Sequence, residues 1–340
     1  MYIDWLTIQQ DNSNGYFSPV SDGTVVKYDP QENPVWQTAC GYQHKGSYES
    51  SARIKIDERS ASLSFNPSRF NRPDNVSGVT WDEAINIANS IMAEFGQNPF
   101  QAAPTKSSNG LVLFPGATIT RIDVCENYKT GTHCNAQTYI RALSQTRISR
   151  NTTSRKGDTV YFNKGSERKT LKAYIKGPEI LSRTKHLTDY RLHLGNELTE
   201  YGIIRLEAKY SAKELRRHNL RNLASITHQK LEAHFMADKD KMKHEVHEEN
   251  LDSLTQNEIG ILRMWQSGDN VRDYIKSSAF YKHRKNIKLK TGYDIAADNI
   301  IGFNPKQKII YLSPFLDEHI KTRPENYSHE LINAKAKASI

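Results

Sequence analysis

The stretch from Tyr161 to Gly177 carries the residue types best suited to chemistry. Leu171, Ala173 and Ile175 alternate with Lys172, Tyr174 and Lys176, the period of a strand with one buried face. The apolar set then faces a core, and a phenol faces outward between two ammonium groups. A phenol so placed can bind a phosphate or attack it. Its ordinary pKa is about 10, so at pH 7 it is protonated. Nearby positive charge or a metal is needed to expose phenolate character, and Lys172 and Lys176 are the candidates to supply it.

Two further segments repeat one pattern. In Thr118–Cys125, Arg121 and Asp123 share the face opposite Thr120, Ile122 and Val124. In Ile203–Lys209, Arg205 and Glu207 share the face opposite Ile204, Leu206 and Ala208. Alternating Arg/acid pairs are commonly solvated salt bridges, but each acid here sits inside an apolar strand and not at its end. If the three strands neighbour one another, one sheet face holds a nucleophile, two carboxylates and several cations. That inventory suits phosphodiester cleavage. Asp123 and Glu207 are candidate ligands for Mg²⁺ or Mn²⁺, which polarises the scissile phosphate. Attack by Tyr174 yields a phosphotyrosine ester that a 3′-hydroxyl can reverse. His44 is a candidate third ligand, and a surface-loop role is its plain alternative. His133 is a weaker candidate. The chain has no His-x-His, HExxH, CxxC or Walker pattern.

Composition sets the partner class. The 340 residues carry a formal charge of +9, with 37% hydrophobic and 25% charged residues. A basic balance of this size points to a polyanion, of which nucleic acid is the commonest. No run of 18 apolar residues offers a membrane span. Asp4 in the opening Met-Tyr-Ile-Asp-Trp-Leu argues against a signal peptide. Cys40, Cys125 and Cys134 have no paired spacing. A reducing cytoplasm fits them best.

The periodicity predicts an α+β chain. Strands are expected near 2–8, 50–57, 62–66, 117–126, 158–163, 170–176 and 202–210. Thr80–Glu83 is a capping box opening a helix that ends near Gly96, and 135–146 reads as a second helix. Ser149–Gly157 reads as a basic turn. The expectation is a central, mainly antiparallel sheet with helices on one face over 1–210, followed by a helical region over 211–340. The loop Asn66–Asn75 offers Arg69 and Arg72 to a DNA backbone and Phe70 for base stacking. Near 254–292 a helix-turn-helix-like segment ends in a serine-capped basic helix stopping at Gly292, with Lys282, Arg284, Lys285 and Lys288 as DNA-contact candidates. An ordinary helical hairpin with a solvated basic face fits the same pattern.

Taken in order, these pieces resemble the gene II replication initiators of filamentous phages and related phage and plasmid proteins. The resemblance rests on Ser62–Phe70 with Pro73–Gly78, Thr120–Val124, Asp158–Ser166, Leu171–Lys176, Ile204–Lys209 and Ser278–Arg284, across most of 1–295. It implies a rolling-circle initiator that nicks one strand of the double-stranded origin through a covalent 5′-phosphotyrosine and later rejoins the displaced single strand. A host helicase and a host polymerase would be its partners. The family's tyrosine falls on Tyr174 and its following lysine on Lys176. Its Arg-Ile-Asp and Arg-x-Glu strands fall on Arg121/Asp123 and Arg205/Glu207, which leaves Lys172, Arg121 and Arg205 as phosphate-binding candidates. The family's Gly-His-Asn is replaced by Pro73-Asp74-Asn75, so no ligand is carried over there. One tyrosine does not complete a cut-and-rejoin cycle alone, and Tyr161 and Tyr128 are the candidates for a second. Two rival readings stay open: a non-catalytic origin-binding or repressor protein, and a metal-dependent hydrolytic nuclease in which Tyr174 only packs.

Overall fold

The computed structural model describes residues 1–21, 23–114, 116–145, 153–183, 185, 187–242, 253–267, 269–291, 293–296 and 312–330. In chain order the strands are β1 (Tyr2–Asp11), β2 (Thr24–Tyr28), β3 (Pro34–Ala39), β4 (Tyr42–Lys45), β5 (Ser51–Ile56), β6 (Ser60–Phe65), β7 (Thr105–Lys106), β8 (Val112–Phe114), β9 (Thr118–Lys129), β10 (Thr153–Lys156), β11 (Thr159–Phe162), β12 (Lys169–Ile175), β13 (Ile203–Ser211) and β14 (Ser313–Pro314). The helices are α1 (Trp81–Glu94), α2 (His133–Gln145), α3 (Lys176–Ser182), α4 (Asp189–Glu200), α5 (Ala212–Arg217), α6 (His228–Met242), α7 (Gln256–Ser267) and α8 (Ser277–Thr291).

Among the described residues, nine strands run in the order β10-β11-β12-β13-β9-β1-β6-β5-β4, with β14 added on β9. Every one of these pairings is antiparallel. The alternation that predicts each strand also sets its register, because a slip by one residue would turn the apolar set outward. Thus Leu171 lies opposite Ala208, and Ala208 opposite Val124. All three are buried in one core with Ile3, Leu6 and Ile8 of β1. Helices α1, α2 and α6 cover this face through Ala88, Ile140 and Phe235. The capping box forms: Thr80 N donates to Glu83 Oε2 at 2.7 Å, and Glu83 N donates to Thr80 Oγ1. Such a cap contributes about 1 kcal/mol.

Two differences from the sequence reading matter for the site. First, β12 ends at Ile175, and Lys176 opens α3. Second, α3 and α4 form their own apolar cluster, in which Ile180, Leu194 and Leu198 pack with Val76 and Ile203. Gly177 permits this contact, since a Cβ there would lie 2.5 Å from the Gly195 carbonyl and from the Thr199 nitrogen. The helical region expected from 211 onward opens with two separate helices, α5 and α6, and residues 243–252 lie outside the described residues. The predicted basic turn becomes β10 from Thr153, with 149–152 outside the described residues, as is the expected stop at Gly292. A third apolar cluster joins α7 and α8 through Leu262, Trp265, Val271, Phe280 and Ile287. Among the described residues no helix is long and apolar enough to cross a membrane.

Candidate active site

Opposed residues in a ladder point to the same sheet face. Tyr161 lies opposite Lys172, and Lys172 opposite Glu207. Tyr174 lies opposite Arg205, and Lys209 opposite Asp123. The polar face of four strands is thereby assembled by register alone. On the next strand a bulge between Ile3 and Trp5 breaks the alternation, and Asp4 joins the same face. A cavity of about 380 Å³ opens over these groups, lined by Asp4, Asp123, Tyr161, Lys172, Tyr174 and Glu207. Glu179 and Arg183 from α3 and the residue after it, Arg191 from α4, and Asn66, Arg69 and Asn75 from the loop after β6 form its walls.

Tyr174 is 7% exposed. Its hydroxyl donates to Glu207 Oε2 at 3.4 Å. The Lys172 ammonium stands 4.9 Å from the ring centroid and Lys176 stands 5.9 Å from it. The expected depression of the phenol pKa does not occur. Burial raises it well above the ordinary value, outweighing the Arg205 guanidinium. Each lysine also has a carboxylate partner. Lys172 Nζ is 2.7 Å from Glu207 Oε1. Lys176 is 1% exposed and bonds Asn75 Oδ1 and Glu179 Oε2, both at 2.9 Å. The phenol is therefore neutral, with a carboxylate in place to accept its proton. Burial raises the Glu207 carboxyl above the usual range against the pull of Lys172, and raises Asp123 against the pull of Arg121.

One side of the cavity is rich in oxygen donors, although its three acids do not converge to within 4.8 Å of one another. Asp4, Asp123 and Glu207 supply carboxylates. Asn66 Oδ1 is buried and has no hydrogen-bond partner. Hard oxygens of this kind suit Mg²⁺ or Mn²⁺. In this state each acid is held by protein groups: Asp123 by Arg121, Glu207 by Lys172, and Asp4 by Asn75 at 2.7 Å. The opposite wall suits phosphate. Burial, then Arg191, lower the Arg69 pKa to about 10, and Arg183 adds to the crowding of guanidinium groups on this wall. Arg69 Nη1 is buried without a partner.

Several sequence candidates land elsewhere. His44 sits on edge strand β4, its Nε2 2.8 Å from Glu94 Oε2 and its ring against Phe95 and Phe70. It does not line the cavity. Phe70 is 5% exposed and packs against Phe65, which leaves it no open face for a base. Arg72 and His133 do not line the cavity. Tyr128 lies one residue out of phase, on the core face, hydrogen-bonded to Glu126 and to Lys239. Tyr161 remains the second tyrosine at the cavity.

Arg205 is fully buried and acts as a brace, not a surface phosphate contact. It donates to Asn127 Oδ1 at 2.8 Å and to the carbonyls of Asn75 and Val76, and it lies 3.4 Å from Asp4 Oδ1. It thereby ties β13, β9, β1 and the 66–78 loop together under Tyr174. Arg205→Met is expected to lower stability by about 3–5 kcal/mol, because it strands buried acceptors and a carboxylate. An unchanged thermal melt would contradict this role.

Sequence reasoning missed Asp4. The signal was present, since Asp4 interrupts the apolar run of a strand just as Asp123 and Glu207 do. The bulge that turns it inward carries no such mark. Arg183 and Arg191 were missed because they reach the cavity only through the packing of α3 and α4 on each other and on Ile203 of β13.

On α8, Arg284 forks onto Asp294 at 2.6 and 2.9 Å, and Lys288 bonds the same carboxylate. These two candidates fasten the helix to the following turn. Lys282 and Lys285 stay exposed on its outer face beside Tyr281.

The sequence model of a family of phage replication-associated proteins, that of the N-terminal region of the gene II product, matches residues 1–230. The chain belongs to that family, and the gene II resemblance read from its motifs is borne out. It is also similar to a solved structure of a rolling circle replication initiator protein from Geobacillus stearothermophilus. Identity is 12%, the match covers 88% of this chain and 98% of that one, and the TM-score is 0.28. No curated protein matches.

Proposed function

We propose that this chain initiates rolling-circle replication by nicking one strand of an origin and later rejoining the displaced strand. The observation that carries the reading is a phenol, Tyr174, hydrogen-bonded to a buried carboxylate in a cavity walled by carboxylates on one side and arginines on the other. Tyr174 gives its proton to Glu207 and attacks the scissile phosphorus. The P–O bond to the 3′-oxygen breaks, that oxygen takes a proton from solvent, and the 5′-phosphate stays on the tyrosine. A 3′-hydroxyl reverses the step with little change in bond energy, so cutting and joining share one site. Arg69, Arg183 and Arg191 hold non-bridging oxygens and flanking phosphates. Arg121 and Lys172 exchange their carboxylates for phosphate when DNA enters. Asp4, Asp123 and Asn66 would hold the divalent ion, which supplies charge neutralisation at the phosphate, while Glu207 is kept for the proton. Tyr161, across the ladder from Lys172, is the proposed acceptor for a second cut.

Origin DNA is the proposed partner, with a host polymerase extending the free 3′-end and a host helicase opening the duplex ahead. The α7–α8 unit would add duplex affinity through Lys282 and Lys285. Replacing both by Ala should weaken binding and lower the salt slope of log K by about 0.9 for each lost phosphate contact. An unchanged slope would remove this helix from the interface. The nicking reading is tested with end-labelled origin strand and Mg²⁺ or Mn²⁺. A denaturant-resistant protein–DNA band supports it, cleavage without a band favours a hydrolase, and binding without cleavage favours a repressor.

A further inference from the structure

A second large cavity, of about 750 Å³, opens on the other side of the sheet from Tyr174. Lys169 marks the face, since it lies opposite Tyr210 in the ladder and in phase with core residues Leu171 and Ala173. Two helices bring ligand atoms together there. Glu214 in α5 and His218 at its C-terminal cap are four residues apart, and so are His234 and Asp238 in α6. That spacing places each pair on one side of its helix.

The atoms converge on one oxygen. Glu214 Oε1 lies 3.4 Å from His218 Nε2 and 3.7 Å from His234 Nε2. All three ligand atoms lie within 4.8 Å of one another. Among the described residues this convergence occurs here and not beside Tyr174. A tetrahedral zinc with bonds of about 2.0–2.1 Å separates its ligand atoms by roughly 3.3–3.4 Å. The two measured edges fit that figure with a shift of a few tenths of an ångström. A 3.7 Å separation is too long for a hydrogen bond. Consistent with that, His234 Nε2 is buried and has no hydrogen-bond partner.

The surroundings are those of a prepared ligand set. Arg168 fixes the other Glu214 oxygen at 2.8 and 3.1 Å, which orients Oε1 toward the imidazoles. Lys169 Nζ stands 3.2 Å from Oε1 but is held more closely by both Asp238 oxygens, at 2.7 and 2.8 Å. It can release Oε1 without losing its partner. The geometry points to a transition-metal site formed by Glu214, His218 and His234, for a cation of the zinc class, that fastens α5 to α6 across the sheet from the nicking cavity. Two imidazole donors select against Mg²⁺. The site is thus chemically separate from the all-oxygen set around Asp123.

The test uses the full untagged chain and does not pass through nicking. Equilibrium dialysis against Zn²⁺ in excess Mg²⁺, followed by elemental analysis, should return one zinc per chain. Saturation at a hundredfold excess over Kd should raise Tm by about 4 °C, and Mg²⁺ alone should not. Co²⁺ in its place should give the visible absorption of a tetrahedral site. The His218 side chain is 39% exposed, so His218→Ala should fold normally. That variant should bind zinc at least about 100-fold more weakly. His234→Gln serves as a second variant with the same expectation. Absence of bound zinc in the native chain, or equal retention by both variants, would overturn the assignment.

Discussion

Tyr174→Phe should abolish the covalent protein–DNA product, with a loss of at least about 10⁴-fold in nicking, as for other enzymes stripped of a nucleophile. DNA binding should stay within about twofold. The ring packs under Lys172 and Lys176, and those contacts survive in phenylalanine. Only the hydroxyl is removed, and its hydrogen bond to Glu207 is long at 3.4 Å. Folding should change little, by roughly 1 kcal/mol at most. Loss of nicking with intact binding and an intact melt identifies chemistry and not packing. If Tyr174→Phe still yields the adduct, the nucleophile is elsewhere, and Tyr161 is the first place to look.

Glu207→Gln should cost about 10²–10⁴ in the nicking rate, the range of a general base. The argument combines geometry and electrostatics. Glu207 faces the phenol with one oxygen and Lys172 with the other. Burial raises its pKa, so its proton affinity is closer to that of the phenol than an exposed carboxylate's would be. The sign of the pH dependence follows. Glu207 must be ionised to take the proton, so nicking should rise as pH increases through its elevated pKa and fall below it. In Glu207→Gln that acidic limb should disappear, while Asp123→Asn should keep it and instead weaken the response to Mg²⁺ or Mn²⁺. An acidic limb unchanged in Glu207→Gln would assign the proton to another group. Loss of adduct in both variants at every pH and metal concentration, with the melt intact, would leave the two acids undivided and refute the separate roles.

The sheet was legible because its strands alternate cleanly. Leu171, Ala173 and Ile175 fix one face, and Ile204, Leu206 and Ala208 fix that of the neighbour. Once both faces are set, Tyr174, Glu207 and Asp123 must share the other side. What the sequence did not disclose depends on contacts between distant segments. The bulge that turns Asp4 inward reflects pairing with β9, not local composition. Lys176 reads as the next outward residue of a strand, yet α3 starts there and buries it against Asn75 and Glu179. Phe70 reads as an exposed loop aromatic, but it fills the core beside Phe65. The lysines beside the phenol suggested a lowered pKa, but burial raises it, and each ammonium is already paired with a carboxylate. Glu214 and His218 were visible only as parts of a charged helical stretch, because their partner His234 lies on a different helix.

The central claim is that one identified phenol takes the DNA phosphate. The most direct measurement digests the denaturant-resistant adduct formed on origin DNA and maps the modified peptide by mass spectrometry. The account predicts a nucleotide mass on Tyr174 within the 169–176 segment. A nucleotide on Tyr161 in the first turnover, or strand cleavage with no modified tyrosine, would contradict it.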